Sequence, residues 1–207
     1  MAKTLIKFLE PYEQQWAENI KKKGLTITIS GPSESGKSTI GKAIARAFRL
    51  KYIFAGEIFR KIAKERGIPI EVFSKIREKE VDYEMDRRTL RYAMLGKVII
   101  DGRLSGWVAG DWADVKIYVY CPTKIRAERV AKRDGIPLAK ALEKIKQRDA
   151  ADSEKYKKLY GIDQTDKSIY DIIIDNSKLT LEQTKSLPVE RVKEFLKKCE
   201  TKTEIVS

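Results

Sequence analysis

Apolar residues along the chain fall into five short runs, separated by longer stretches in which they recur every three or four positions. Leu25-Thr26-Ile27-Thr28-Ile29 reads as a buried strand, and Thr39 to Leu50 as the helix that follows it. Lys51-Tyr52-Ile53-Phe54 is a second short strand that ends at Ala55-Gly56. A helix from about Glu57 to Glu65 comes next, ended by Gly67 and the later Pro69. From Ile70 to Leu95 the spacing is helical and densely charged until Gly96 stops it. Val98–Asp101, Val115–Tyr120 (closed by Pro122) and Tyr170–Ile174 complete the strands. Further helices are predicted from a Thr123 cap to Arg133, from Gly135 to about Tyr160, and from a Thr180 cap to about Lys198.

Five apolar strands alternating with helices specify an α/β fold, a five-stranded parallel sheet covered by helices on both faces. Two stretches exceed a simple crossover: an insert over about 56–95, whose charged helical part begins near 68, and a second over about 135–162. Both leave the C-terminal edge of the sheet, which places two covers over whatever binds there. Residues 1–24 form an N-terminal extension before the core of 25–207. Within it Pro11 can open a helix, and Tyr12, Trp16 and Ile20 recur at near-helical spacing, as expected of a helix that packs on the domain.

Composition narrows the chemistry. The 207 residues include no histidine, which excludes Ser-His-Asp hydrolysis, Cys-His proteolysis and histidine-based metal sites. Cys121 and Cys199 are the only cysteines, so no disulfide framework exists and a reducing cytoplasm is the expected compartment. No apolar run approaches a membrane span. The formal charge of +13, from 43 basic and 30 acidic residues, suits an anionic partner. Basic residues are spread along the chain and paired with acids. The stripe with interleaved aromatics that nucleic-acid binding needs is absent.

The sharpest signal is the run Gly31-Pro32-Ser33-Glu34-Ser35-Gly36-Lys37-Ser38, which fits G-x-x-x-x-G-K-[ST] between a predicted strand and helix. Its glycines let backbone N–H groups turn inward around a β-phosphate, and the helix N-terminus adds partial positive charge. Lys37 would reach the β- and γ-phosphate oxygens, and the Ser38 hydroxyl would ligate Mg²⁺. Gly31, Ser33, Glu34, Ser35, Gly36, Lys37, Ser38 and Thr39 are therefore the expected ATP-binding set. Arg133 is expected to lie over the donor's base. Asp101 closes a strand ahead of Gly102-Arg103, where an acid can hold Mg²⁺ through water.

Arg60, Arg87, Arg88 and Arg103 are candidates for gripping an acceptor phosphate, because guanidinium binds phosphate bidentately and stays charged in a closed site. In the second insert Arg148, Asp152 and Lys155 share one helical face. Asp152 would orient the two cations over the transferring phosphoryl group, making Lys37, Arg148 and Lys155 the catalytic candidates.

Taken together, Ala55-Gly56-Glu57-Ile58-Phe59-Arg60, Asp86-Arg87-Arg88, Asp101-Gly102-Arg103-Leu104-Ser105-Gly106-Trp107 and Tyr160 to Asp171 give a resemblance. With the phosphate loop, about residues 25–185 look like an archaeal-type cytidylate kinase, within the nucleoside monophosphate kinases of the P-loop kinase fold. The resemblance implies Mg²⁺-dependent transfer of the ATP γ-phosphate to CMP or dCMP. It implies a CMP-phosphate grip by Arg60, Arg88 and Arg103, and a lid contributing Arg148, Asp152 and Lys155. The chain departs from the pattern at Lys155, where members often carry Arg, and at Glu34-Ser35, where smaller residues are usual. Glu34 is expected to point outward. The 24-residue extension also lacks a counterpart.

Two alternatives stay open on residues alone: a kinase for another monophosphate or small acceptor, and a nucleic-acid-binding ATPase.

Overall fold

A computed structural model describes residues 4–75 and 78–206. Five parallel strands, β1 (Thr26–Ser30), β2 (Lys51–Phe54), β3 (Val98–Asp101), β4 (Val115–Tyr120) and β5 (Ile172–Asp175), form one sheet in the order β2-β3-β1-β4-β5. Every residue of β1 is buried, as a strand covered on both faces requires. Pairing sets Ile29 opposite Asp101 and Phe54 opposite Asp101, so the C-terminal ends of β1, β2 and β3 lie level. The chain leaves β1 toward one edge and later returns to its other side. The resulting switch point puts the loops after β1, β3 and β4 around one crevice.

Nine helices are described: α1 (Glu10–Ala17), α2 (Lys37–Ala47), α3 (Ala55–Glu65), α4 (Ile70–Lys75), α5 (Lys79–Leu95), α6 (Ser105–Ala109), α7 (Thr123–Asp134), α8 (Leu138–Tyr160) and α9 (Leu181–Val206). Ile40 and Ile44 of α2 and Val192 of α9 bury against Ile27, Ile29, Ile117 and Ile174 of the sheet. A second core joins α3, α4 and α5 to β2 and β3 through Ile62, Phe73, Val81, Ala93 and Ile100. A third lies between the N-terminal segment, α5, α6 and the residues just after α8. α7 and α8 pack on each other through Ala127, Val130, Ala141 and Ile145.

The helical pattern over 70–95 divides into α4 and α5, with Glu78 extended ahead of α5; residues 76 and 77 lie outside the described residues. The break lets Phe73 and Val81 bury in one cluster, whereas a straight helix would separate them by about 12 Å along its axis. Thr123 is the first helical residue of α7 and not its cap. Pro122 precedes it in extended geometry, and the Thr123 hydroxyl accepts from Arg126. Thr180 does cap α9: Gln183 N donates to its Oγ1 at 3.2 Å, and its own N–H donates to Gln183 Oε1 at 3.0 Å. α9 continues past Lys198 despite Pro188 within it, α6 has no counterpart in the periodicity, and β5 begins at Ile172 where Tyr170 was expected.

The central strands carry the core, so truncation there has a defined cost. Ile99, fully buried in β3, changed to Ala is expected to lower unfolding free energy by about 2–5 kcal/mol. Urea titration should show a lower midpoint with an unchanged slope.

Candidate functional site

The loop after β1 is shaped by close backbone approach. Gly31 has φ +136°, and a Cβ there would stand 2.4 Å from the Val119 carbonyl oxygen; Gly36 has φ +95°, and a Cβ there would stand 2.2 Å from Asn176 Nδ2. Glu34, at φ +60°, also holds a left-handed conformation, which is costly for a residue with a Cβ. Alternation of this kind turns successive N–H groups to one side and makes an anion-binding concavity at the start of α2. Lys37 lies inside it, its Nζ donating to Pro32 O at 2.5 Å and to Ser35 Oγ at 3.4 Å. Burial brings the Lys37 pKa down to about 8, an effect that Asp101 opposes and Arg103 reinforces.

Asp101 is fully buried at the end of β3. Its Oδ2 accepts from Ser38 Oγ at 2.8 Å and from Tyr52 OH at 2.6 Å. Its Oδ1 is buried without a hydrogen-bond partner. A hydroxyl and an uncommitted carboxylate oxygen side by side form a hard oxygen donor set of the kind that suits Mg²⁺ when phosphates and waters complete it. The donor set fits that ion. Burial, followed by the Asp101 charge, raises the Tyr52 pKa, so this phenol remains a donor.

Three residues behind the loop carried no sequence signal beyond a charged or amide side chain after a strand. Arg126, on the first turn of α7 and 3 % exposed, donates to Cys121 O at 3.0 Å, Ser33 O at 3.1 Å and Thr123 Oγ1 at 2.9 Å. It also grips both Asp149 oxygens of α8, at 3.1 and 2.6 Å. Asn176 Nδ2 donates to Ser35 O at 2.8 Å, while Thr184 donates to Asn176 Oδ1 at 2.8 Å. Arg129 donates to Asn176 O at 2.6 Å.

A cavity of ≈ 950 Å³ runs from this loop to the space between α5 and the end of α8. Of the expected residues, Ser33, Glu34, Gly36, Lys37, Ser38, Thr39, Asp101, Arg103, Arg133, Arg148, Asp152 and Lys155 line it. Glu34 faces Arg133 at 2.7 Å, where Asp134 also binds the guanidinium. It spans the mouth and does not point away. Arg103 pairs with Asp152. Burial presses the Arg103 pKa below its ordinary value, and Arg148 and Arg126 press the same way. Lys155 pairs with Asp82 at 3.3 Å. The end remote from the loop is acidic and aromatic, with Asp82, Asp86, Tyr156 and Tyr160; the Tyr160 hydroxyl donates to Asp86.

Three expected acceptor residues stand outside that lining. Arg60 lies over the Phe54 ring, 5.8 Å from its centroid. Arg88 is tied to Glu65 and Glu84, each at 2.5 Å, and joins α3 to α5. The expectation for Arg87 is corrected: its guanidinium donates to Tyr12 OH at 3.1 Å and lies 5.0 Å over that ring, because α1 occupies this face of α5.

Arg126→Ala should cost about 3 kcal/mol, since a buried guanidinium leaves five acceptor contacts behind. Arg126→Lys should recover little of it, because a point charge cannot span two Asp149 oxygens and two carbonyls. Thermal denaturation of the three proteins checks both outcomes.

The sequence model of the Cytidylate kinase-like family matches residues 26–178. Among curated relatives, the cytidylate kinase of Pyrococcus horikoshii is 48% identical over 156 residues, covering 74% of this chain and 81% of the relative. That of Staphylothermus marinus is 41% identical over 175 residues, covering 84% and 99%. Solved structures with the same fold include shikimate kinase from Bacteroides thetaiotaomicron, with TM-score 0.58 and 17% identity over 84% of this chain and 98% of that one. A gluconokinase from Sinorhizobium meliloti aligns with TM-score 0.53 and 17% identity, over 85% and 97%. The phosphate loop, the acid at the end of β3 and the buried cations facing both thus lie in a P-loop kinase fold, and the chain belongs to the cytidylate kinase-like family.

Proposed function

We propose that the protein transfers the γ-phosphate of ATP to CMP or dCMP, giving ADP and the pyrimidine nucleoside diphosphate. The observation that supports this reading is one continuous cavity, basic and glycine-rich at one end, acidic and aromatic at the other. ATP occupies the loop end, with its triphosphate on the N-terminus of α2 and Lys37, and its base against Arg133. The acceptor occupies the other end, with its phosphate near Arg103 and Arg148. Carboxylates at Asp82 and Asp86 complement an exocyclic amino group better than a carbonyl, which favours cytosine over uracil.

An acceptor phosphate oxygen attacks the γ-phosphorus. The new P–O bond forms as the β–γ bridging P–O bond breaks, and ADP leaves with that bonding pair. The attacking oxygen is already anionic, so no general base is needed, and the missing histidine costs the mechanism nothing. Lys37, Arg103 and Arg148 supply positive charge where the transferring group spreads its negative charge. Asp152 orients Arg103, and Asp82 holds Lys155 at the cavity wall. Ser38 and Asp101 would hold Mg²⁺, whose charge, when it is bound, offsets that of the triphosphate. Ser38 and Asp101 keep their oxygens together for it through their mutual hydrogen bond.

In this reading 56–95 is the acceptor-binding insert and 135–162 the lid, closing the cavity against water. Arg60, at the rim on α3, would approach the acceptor on closure. Two cysteines without a paired spacing accord with a reducing cytoplasm. Among the described residues no helix is long and apolar enough to cross a membrane.

A coupled ADP-release assay across CMP, dCMP, UMP, AMP and GMP tests the assignment. CMP and dCMP should be turned over fastest; preference for AMP would overturn the acceptor, and inactivity with all five would remove the kinase reading. Lys37→Ala should lower turnover by about a hundred- to a thousandfold while the domain stays folded. Near-normal activity in that variant would overturn the role of the loop.

A further inference from the structure

The N-terminal segment precedes the span matched by the family model, yet it is fastened to the wall of the cavity. Thr4 N donates to Glu13 Oε2 at 2.9 Å and Thr4 Oγ1 to Val108 O at 2.8 Å. Trp112 Nε1 donates to Glu13 Oε1 at 2.8 Å, and Glu13 is buried. Ile6 and Leu9 bury among Leu90, Met94, Leu104 and Val108. Leu104 and Val108 also line the cavity, so the segment backs its wall directly.

From this anchored segment Phe8 projects to two helices at once. Its ring lies 4.3 Å from that of Tyr83 on α5, and it stacks at 6.4 Å and 19° on Tyr160, the last residue of α8. Tyr83 and Tyr160 complete a three-ring cluster at 6.1 Å. Burial and the neighbouring Asp86 raise the Tyr160 pKa, so its hydroxyl stays protonated and donating. α8 is also held by α7 near its other end and, along its length, by the Arg126–Asp149, Arg103–Asp152 and Lys155–Asp82 pairs.

We infer that Phe8 is a positioning residue for the acceptor: it fixes Tyr160 on Asp86 and thereby sets the shape of the acidic end that receives the acceptor's base. The inference rests on the proposed acceptor site. A segment outside the family's matched span then tunes a site inside it, joining the foot of the lid to the acceptor-binding insert at one aromatic contact. The donor end, beyond Lys37, touches none of these rings.

Steady-state kinetics of the full chain with CMP and ATP test this. Phe8→Ala is expected to raise the KM for CMP about tenfold, while the KM for ATP stays within about twofold. Phe8→Tyr should restore the CMP value. Trp16→Ala, which removes an aromatic of the same extension that does not reach Tyr160, should leave it unchanged. On a Tyr160→Phe background Phe8→Ala should add little, since both act through the same hydroxyl. If Phe8→Ala fails to fold, Phe8→Leu carries the same test. Equal changes in both KM values, no change, or fully multiplicative effects in the double variant would overturn the role of Phe8. A wild-type protein inactive toward CMP would overturn the acceptor assignment itself, and with it this inference.

Discussion

The structure depends on a concentration of positive charge held out of water. Lys37 and Arg126 are buried and Arg103 is half-buried around one loop, with Arg148 beside them in the cavity lining. Desolvation disfavours the charged form of such groups, and burial lowers the Lys37 pKa to about 8. That displacement corresponds to about 3 kcal/mol against the charged lysine. Asp101 and Glu34 already oppose that displacement, while Asp149 pairs with Arg126 and Asp152 with Arg103. The uncompensated charge favours an anion at the mouth of α2. Affinity for substrate is thus built in as incomplete charge compensation.

The scaffold serves that arrangement. Parallel pairing brings Ile29, Phe54 and Asp101 level at the sheet edge, so the hydroxyl of Ser38, the second residue of α2, meets an acid from β3. Arg126 then clamps the loop, the end of β4, α7 and α8 together through a single side chain. Because it touches both the loop carbonyl of Ser33 and Asp149 of α8, the loop and the helix carrying Arg148 and Asp152 have a fixed point in common. Those two residues are placed relative to the loop through this clamp.

Much of this was legible from residue order. The alternation of apolar runs and 3.6-residue spacing gives the five strands and most helices, because burial on both sheet faces leaves few other patterns. The phosphate loop carries its own geometry in Gly31, Gly36 and Lys37. Less local features were not legible. The Arg126 clamp joins groups 93 and 23 residues apart, and no periodicity marks such a contact. Tyr52 looks like a strand aromatic until β2 lands beside β3. Arg87 read as a phosphate ligand because nothing in its own helix reveals that α1 covers that face. Glu34, the odd acid in the loop, finds its partner in Arg133 across the mouth of the cavity, 99 residues away.

The central claim is that the loop lysine sits in a desolvated site whose carboxylates compensate its charge only in part until phosphate arrives. It is tested most directly by NMR titration of Lys37, labelled at Cε, in the free protein and with Mg²⁺ and a non-hydrolysable ATP analogue. The account predicts a midpoint near pH 8 in the free protein and a rise on binding, because the triphosphate favours the charged form. In the free protein, charge on Lys37 is lost as pH rises through that midpoint, and analogue affinity should fall with it. An ordinary lysine titration in the free protein, unmoved by the analogue, would contradict the account.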